Sequence, residues 1–331
     1  MHLKRNVLAG LLIFAVFMSA QFIWAGGSGE EEEKDTRPSV VLLWLGAQTP
    51  YGPPFIANYQ FMANGNGWNS FIFDGRFDAA LQASQMDDAI AMKPDLIDLV
   101  AMDSSAMSRG IKKAHDAGIM VLMDHGYSLD SDKQYTVGYT GPNDYMLAQN
   151  SAELLHNALG GEGKVVMLEG AAGQKGAIDR TQGFLDKLEE LNSGLEVLAH
   201  QPAQWDKATS TKIMADWLVG FGDTIDGVYG QDDTIAIGAW IAIEEAGYEK
   251  GDIVIVGSGG SREGLAAVND GTIFGTVTQD PVTGSTLSIK TIEKIFSKGL
   301  KPGDQIDPFY RYMAIVKITK ENVEDFLPGV W

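Results

Sequence analysis

Gly118 to Tyr127 reads GIMVLMDHGY, an apolar strand that ends abruptly in Asp124-His125. In a parallel α/β sheet, ligands collect beyond the carboxyl ends of the strands, so a carboxylate placed where the apolar run stops is positioned to meet one. Asp124 is therefore read as the anchor of a small-molecule cleft.

The same rhythm extends outward in both directions. Ser39 to Leu45 reads as a buried strand, Phe55 to Asn64 as a helix, Ser70 to Phe73 as a strand and Ala79 to Met92 as a helix with Leu81, Met86, Ala89 and Ile90 close to helical spacing. Leu96 to Met102 is a further strand, separated from Ile119–Met123 by a helix around Ser105 to Ala117. Repeated βα units imply a parallel sheet with crossover helices. The pattern restarts with helices at Asn143 to Leu159, Arg180 to Leu191, Thr209 to Gly220 and Thr234 to Ala246. These alternate with strands at Lys164 to Glu169, Leu195 to Gln201, Gly227 to Gly230 and Ile253 to Val256. The expected fold is α/β, with two doubly wound parallel-sheet lobes and a ligand cleft between them.

Composition agrees with a two-core globular chain: 331 residues, 45% of them hydrophobic. Lys+Arg 25 against Asp+Glu 44 gives a formal charge of -19, which opposes the phosphate neutralisation that nucleic-acid binding requires. Cysteine is absent, which excludes disulfides, thiolate nucleophiles, cysteine metal sites and a lipid-bearing cysteine. Lys4 and Arg5 precede an apolar run from Val7 to Phe17, and small residues follow at Ser19-Ala20 and Ala25. This is the pattern of a secretory signal peptide over residues 1–25, with cleavage after Ala20 or Ala25, and it implies an exported, periplasmic protein. Residues 26–37, GGSGEEEEKDTR, hold nothing to bury and read as a disordered acidic linker.

Familiar catalytic signatures fail when tested. In Gly257-Ser258-Gly259-Gly260-Ser261-Arg262 an arginine stands where a dinucleotide fingerprint needs its third glycine, and Val165 replaces the Ser or Thr of a phosphate loop after Gly160 to Lys164. His2, His115, His125, His156 and His200 lack the paired spacing of a zinc helix. No G-x-S-x-G elbow occurs. No catalytic residue, metal or cofactor is expected. What remains is a set of polar and aromatic residues at strand ends: Asp124, Arg180 at the start of a helix, Asp232 after Val228-Tyr229-Gly230, and Gln279 after Gly275-Thr276-Val277. Sugar hydroxyls need donors and acceptors in fixed directions, which Asp, Arg and Gln supply, and Phe55 and Trp205 offer flat faces for a sugar ring. Each has a plainer role too: Asp232 or Asp233 as a cap for the helix near Thr234, Phe55 and Trp205 as core, Arg180 as an ion-pair partner.

From about Val40 to Ile318 the chain resembles the periplasmic sugar-binding proteins of the ribose-binding type, which deliver ligand to ABC importers. The segments that carry this are Val121-Leu122-Met123-Asp124, Glu169 to Gly173 leading to Arg180 and Gly183-Phe184, Gln201 to Asp206, Val228 to Asp233 with Ala236 to Ala239, Ala267 to Gly271, and Thr278 to Pro281. The resemblance implies a type I periplasmic binding fold with a three-stranded hinge. Its N-terminal lobe covers 38–140 plus 280–305 and its C-terminal lobe 141–279 plus 306–331, with crossings near Gly141, Gln279 and Asp307. It further implies that Phe55 and Trp205 sandwich a sugar ring from opposite lobes while Asp124, Arg180 and Gln279 bind its hydroxyls. The chain departs from the family pattern at Asp232, where ribose binders carry asparagine, at His125, in place of an arginine, and at Val100 and Gly259, where polar residues are expected. These departures imply a monosaccharide or polyol other than ribose. The implied partner is the membrane permease of an ABC transporter, which reads the lobes closed by ligand. A membrane chemoreceptor reading the same closed form is the second reading, and an exported carbohydrate-active enzyme using Asp124 and Asp232 as a carboxylate pair is the third.

Overall fold

Two six-stranded sheets organise the residues described by the computed structural model, 35–331. The leader expected at 1–25 lies outside the described residues, as does the expected linker up to residue 34. The first half of the chain runs β1 (Ser39–Trp44), α1 (Gly52–Gly65), β2 (Asn69–Asp74), α2 (Ala79–Met92), β3 (Leu96–Leu99), α3 (Ser104–Asp116), β4 (Met120–Asp124) and β5 (Gly138–Gly141). A second series follows: α4 (Asp144–Ala158), β6 (Glu162–Glu169), α5 (Lys175–Glu190), β7 (Gly194–Pro202), α6 (Lys207–Phe221), β8 (Gly227–Gly230), α7 (Asp233–Glu245), β9 (Val254–Val256), α8 (Arg262–Asp270) and β10 (Gly275–Val277). The chain then returns through α9 (Pro281–Ser297), β11 (Tyr310–Tyr312) and β12 (Lys317–Thr319).

The sheet orders are β2-β1-β3-β4-β5-β11 and β7-β6-β8-β9-β10-β12, parallel throughout except for the antiparallel pair of β10 and β12. Each sheet reverses its winding direction once, between β1 and β3 in the first and between β6 and β8 in the second. Such reversals open a crevice beyond the carboxyl ends of the strands. The apolar runs are unbroken because both faces of each sheet are covered. Along β1, Val40, Leu42 and Trp44 pack on one face with α1 and α9, while Val41 and Leu43 pack on the other with α2 and α3. β6 divides the same way, Val166 and Leu168 against Val165 and Met167.

That alternation has a consequence at β4. Met120 and Leu122 belong to the face covered by α1 and α9, and Val121 and Met123 to the opposite one. Asp124, two residues after Leu122, therefore points between the sheet and α9. Asp98 of β3 lies on the same face as Leu96, beside Tyr59 of α1, and both of its oxygens are buried without a hydrogen-bond partner. Burial, with Asp124 nearby, pushes its carboxyl well above the usual range.

Three passages join the sheets. Two fall after Gly141 and after Val277. The third differs from the expected break at 305/306: β11 pairs with β5 in the first sheet, and the chain reaches the second only at β12, so the passage lies between Tyr312 and Lys317. Three-residue strands carry too little periodicity to announce which sheet they join.

Candidate functional site

A cavity lies between the two sets of strand ends, and loops from both sheets line it. The first sheet contributes Trp44 at the end of β1, Leu45, Gly46, Thr49 and Tyr51 after it, Phe77 after β2, and His125 after β4. From the second come Gln174 after β6, Trp205 after β7, Asp232 after β8, Ser258 and Gly259 after β9, and Gln279 after β10. The cavity encloses about 80 Å³, room for on the order of five to eight water-sized groups. That is space for one small molecule.

Arg180 is the polar centre of the second lobe's wall. It sits in the second turn of α5, only 4% exposed, and its guanidinium spans three elements. Nε donates to Asp144 Oδ1 at 2.8 Å, Nη1 to the Gln231 carbonyl at 2.5 Å and Nη2 to Gln279 Oε1 at 2.5 Å. The planar fork suits this use, because its donors leave in fixed directions. Asp144 faces the cavity with Oδ2 buried and unpartnered, an acceptor available to a ligand hydroxyl. Gln279, whose oxygen is taken by Arg180, keeps its amide N–H groups to donate.

Trp205 forms the flat wall. Its residue adopts φ 55°, its Nε1 donates to Gln174 Oε1 at 2.7 Å, and the Arg180 guanidinium lies 5.2 Å from the ring centroid. Gly170 makes room for it: a Cβ there would stand 1.9 Å from Trp205 Cζ2.

Of the residues expected at the site, His125, Arg180, Trp205, Asp232 and Gln279 line the cavity, whereas Asp124 and Phe55 stand behind it. Asp124 is fully buried. It accepts from Ser288 Oγ of α9 at 2.5 Å and makes a very short contact with His125 Nδ1. On its other side the His125 ring is hydrogen-bonded through Nε2 to the Tyr51 hydroxyl 2.7 Å away. Asp124 thus reaches the cavity only by way of its contact with His125, because strand alternation turns it toward α9. Phe55, likewise fully buried, packs 4.5 Å from Trp44 and edge-on to His125 at 5.2 Å. The aromatic wall of the first lobe is formed by Trp44, Tyr51 and Phe77, and Phe55 supports it from within the core.

Asp232 combines both roles open to it. Its Oδ1 accepts from Ile235 N at 2.7 Å, capping α7, and its side chain also faces the cavity. Asp233 caps nothing. It is buried with Ser261 N at 2.7 Å and Thr276 Oγ1 at 2.6 Å. Burial pushes the Asp232 carboxyl up to about 7, against the opposing pull of the Ile235 amide and Arg180. Between the ordinary carboxylate range and pH 7 the folded protein holds a proton that the unfolded chain has lost. This group's contribution therefore declines as pH rises through that window and is flat above it. A displacement of this size corresponds to at most about 4 kcal/mol, less because the side chain faces the cleft. Asp232→Asn keeps the cap and removes the titration. Its stability relative to the wild type, measured by urea unfolding, is expected to rise by about 1–4 kcal/mol between pH 4.5 and 7.5 and then level off. A pH-independent difference would refute this account.

Trp44, Phe77, Asp144, Gln174 and Trp331 line the cavity without having been picked out from the sequence. A strand-end position marks Trp44, and Asp144 opens α4 directly after the first passage. Among the described residues no group of three His, Cys, Asp or Glu side chains is placed to hold a metal ion, and no helix is long and apolar enough to cross a membrane.

This architecture, two parallel-sheet lobes with a small polar and aromatic cavity at their facing strand ends, defines a two-lobed solute-binding protein. The chain belongs to the periplasmic binding protein domain family, which matches residues 40–299. It is 30% identical to the xylitol-binding protein of Mycolicibacterium smegmatis, over 78% of this chain and 69% of that one. Identity to the ribose import binding protein of Escherichia coli is 27%, over 87% of this chain and 93% of the relative. The fold also matches a Bacillus halodurans ABC transporter solute-binding protein solved with bound myo-inositol, at a TM-score of 0.77 and 22% identity, covering 88% of this chain and 97% of that one. Binding, and not catalysis, is what this family does.

Proposed function

We propose that this protein is an extracytoplasmic solute-binding protein that captures a neutral monosaccharide or polyol between its lobes and delivers it to the permease of an ABC importer. The observation that carries the reading is the cavity itself. It joins flat aromatic walls, Trp205 on one side and Trp44, Tyr51 and Phe77 on the other, to donors and acceptors of both kinds. Its one guanidinium is already engaged by Asp144, so an anionic ligand finds no free cation there. Sugars and alditols pair apolar ring or chain faces with hydroxyls that both donate and accept, which matches this lining. Support also comes from relatives named for xylitol and ribose. A ligand touching both walls favours the closed arrangement in proportion to its differential affinity for it. A leader cleaved after Ala20 or Ala25 would place the protein in the periplasm, where such ligands are collected.

The reading is tested by thermal shift of the mature protein against pentoses, hexoses, their alditols, inositols, nucleosides and amino acids. Ligand at 100 times Kd adds about 2.7 kcal/mol to the folded form, so a binder is visible as a rise in Tm. Hits are expected among the sugars and polyols. Hits confined to nucleosides or amino acids would overturn the ligand class.

A further inference from the structure

We propose that Trp331 is a ligand-binding residue of the cleft: its indole covers the cavity between the lobes, and its Nε1–H donates to an oxygen of the bound sugar or polyol. The inference rests on the reading above and adds a specificity-determining residue to it.

Trp331 is far in sequence from the other residues of the cavity yet lines it. The segment that carries it is pinned to the second lobe. Arg262 N at the start of α8 donates to the Trp331 carbonyl at 2.6 Å, and Gly329 N donates to the Phe326 carbonyl at 2.9 Å. Gly329, at φ 86°, lies so close to Arg262 that a Cβ there would stand 2.9 Å from the Arg262 Cα. From this anchorage the indole reaches across to the first lobe, where its ring meets Tyr51 edge-on, centroids 5.3 Å apart and planes at 81°. Tyr51 in turn is bonded to His125. One side chain therefore spans from α8 to the Tyr51–His125 wall.

Gly259 and Trp331 form one arrangement. Gly259 has φ 139°, and a Cβ there would stand 3.2 Å from Trp331 Cζ2 and 3.0 Å from Asp233 Oδ2. A longer side chain and the indole would compete for the same space, so the bare backbone at 259 and the ring of 331 belong together. The indole nitrogen is buried and has no hydrogen-bond partner among the described residues. It can only donate, and a buried donor left unpaired is costly, so a ligand oxygen that accepts from it is favoured over an apolar group. This identifies a donor at the position where the sequence offers only glycine.

The test uses the full mature chain with xylitol, D-ribose and myo-inositol as probes, Kd by calorimetry, and the ligand-free Tm of each variant. Trp331→Phe keeps the ring and removes the donor. Its Kd for the probe that binds the wild type is expected to rise on the order of 5- to 10-fold, with the ligand-free Tm within about 2 °C of the wild type. Trp331→Ala, which removes the cover as well, is expected to lose on the order of 50-fold or more. Unchanged Kd in Trp331→Ala, or a Tm loss in Trp331→Phe without a change in Kd, overturns the inference and leaves the proposed function standing. If none of the probes and none of the wider sugar and polyol panel binds the wild type, the proposed function falls, and this inference with it.

Discussion

Arg180→Ala is expected to lose ligand binding by more than 100-fold and to destabilise the folded protein by about 3–5 kcal/mol. Both losses have one cause. The guanidinium ties Asp144 of α4, the Gln231 carbonyl after β8 and Gln279 at the second passage between the sheets into a single wall. Removing it leaves Asp144 buried as an unpaired carboxylate whose second oxygen already lacks a partner. It also frees Gln279 to rotate and removes the cation that lies over the Trp205 ring. Arg180→Lys is the informative companion. Lysine restores the charge and not the fork, so it is expected to recover part of the stability and little of the affinity. Urea unfolding and calorimetric titration read the two losses separately. Ligand affinity in Arg180→Ala within tenfold of the wild type would show that the guanidinium supports the wall without shaping the site.

Gly170→Ala is expected to weaken ligand binding on the order of 100-fold while costing about 1–3 kcal/mol of stability. The added methyl would stand 1.9 Å from Trp205 Cζ2 and 2.2 Å from Cη2, distances at which something must move. The indole is the part able to shift, and the cavity it lines is the space beside it. Gln174 holds its nitrogen and the Trp205 backbone is already in the left-handed region. Gly220→Ala provides the control: it lies in α6 with nothing within 4 Å of the added carbon. That change is expected to be neutral or stabilising by up to about 1 kcal/mol, because alanine loses less backbone freedom in a helix. If Gly170→Ala binds ligand as the wild type does, Trp205 is not a wall of the site.

The legible parts of this molecule are those where local pattern and tertiary role coincide. SVVLLW at β1 and MVLMD at β4 are unbroken apolar runs because helices cover both faces of the sheet, so burial is written into consecutive residues. Arg180, Trp205, Asp232 and Gln279 line the cavity for a related reason, since each stands shortly beyond a strand or in the first two turns of a helix whose pattern is strong. Asp124 and Phe55 show the limit. A strand-end carboxylate and an aromatic in a helix's first turn mark a neighbourhood and not a direction. The two-residue alternation that places Leu122 against α9 also turns Asp124 toward Ser288, behind His125.

Order along the chain thus determined the class of fold, the two repeated βα series, and the strand-end rim that lines the cavity, because these follow from periodicity and from the ends of apolar runs. Only the tertiary structure decided which sheet β11 joins, which aromatic rings face the cavity, and that Trp331 lines it beside Gly259. The physical reason is one of range. Periodicity is imposed by neighbours a few residues away, whereas the walls of the cleft are set by contacts between segments more than fifty residues apart, such as Arg180 with Gln279 and Tyr51 with Trp331.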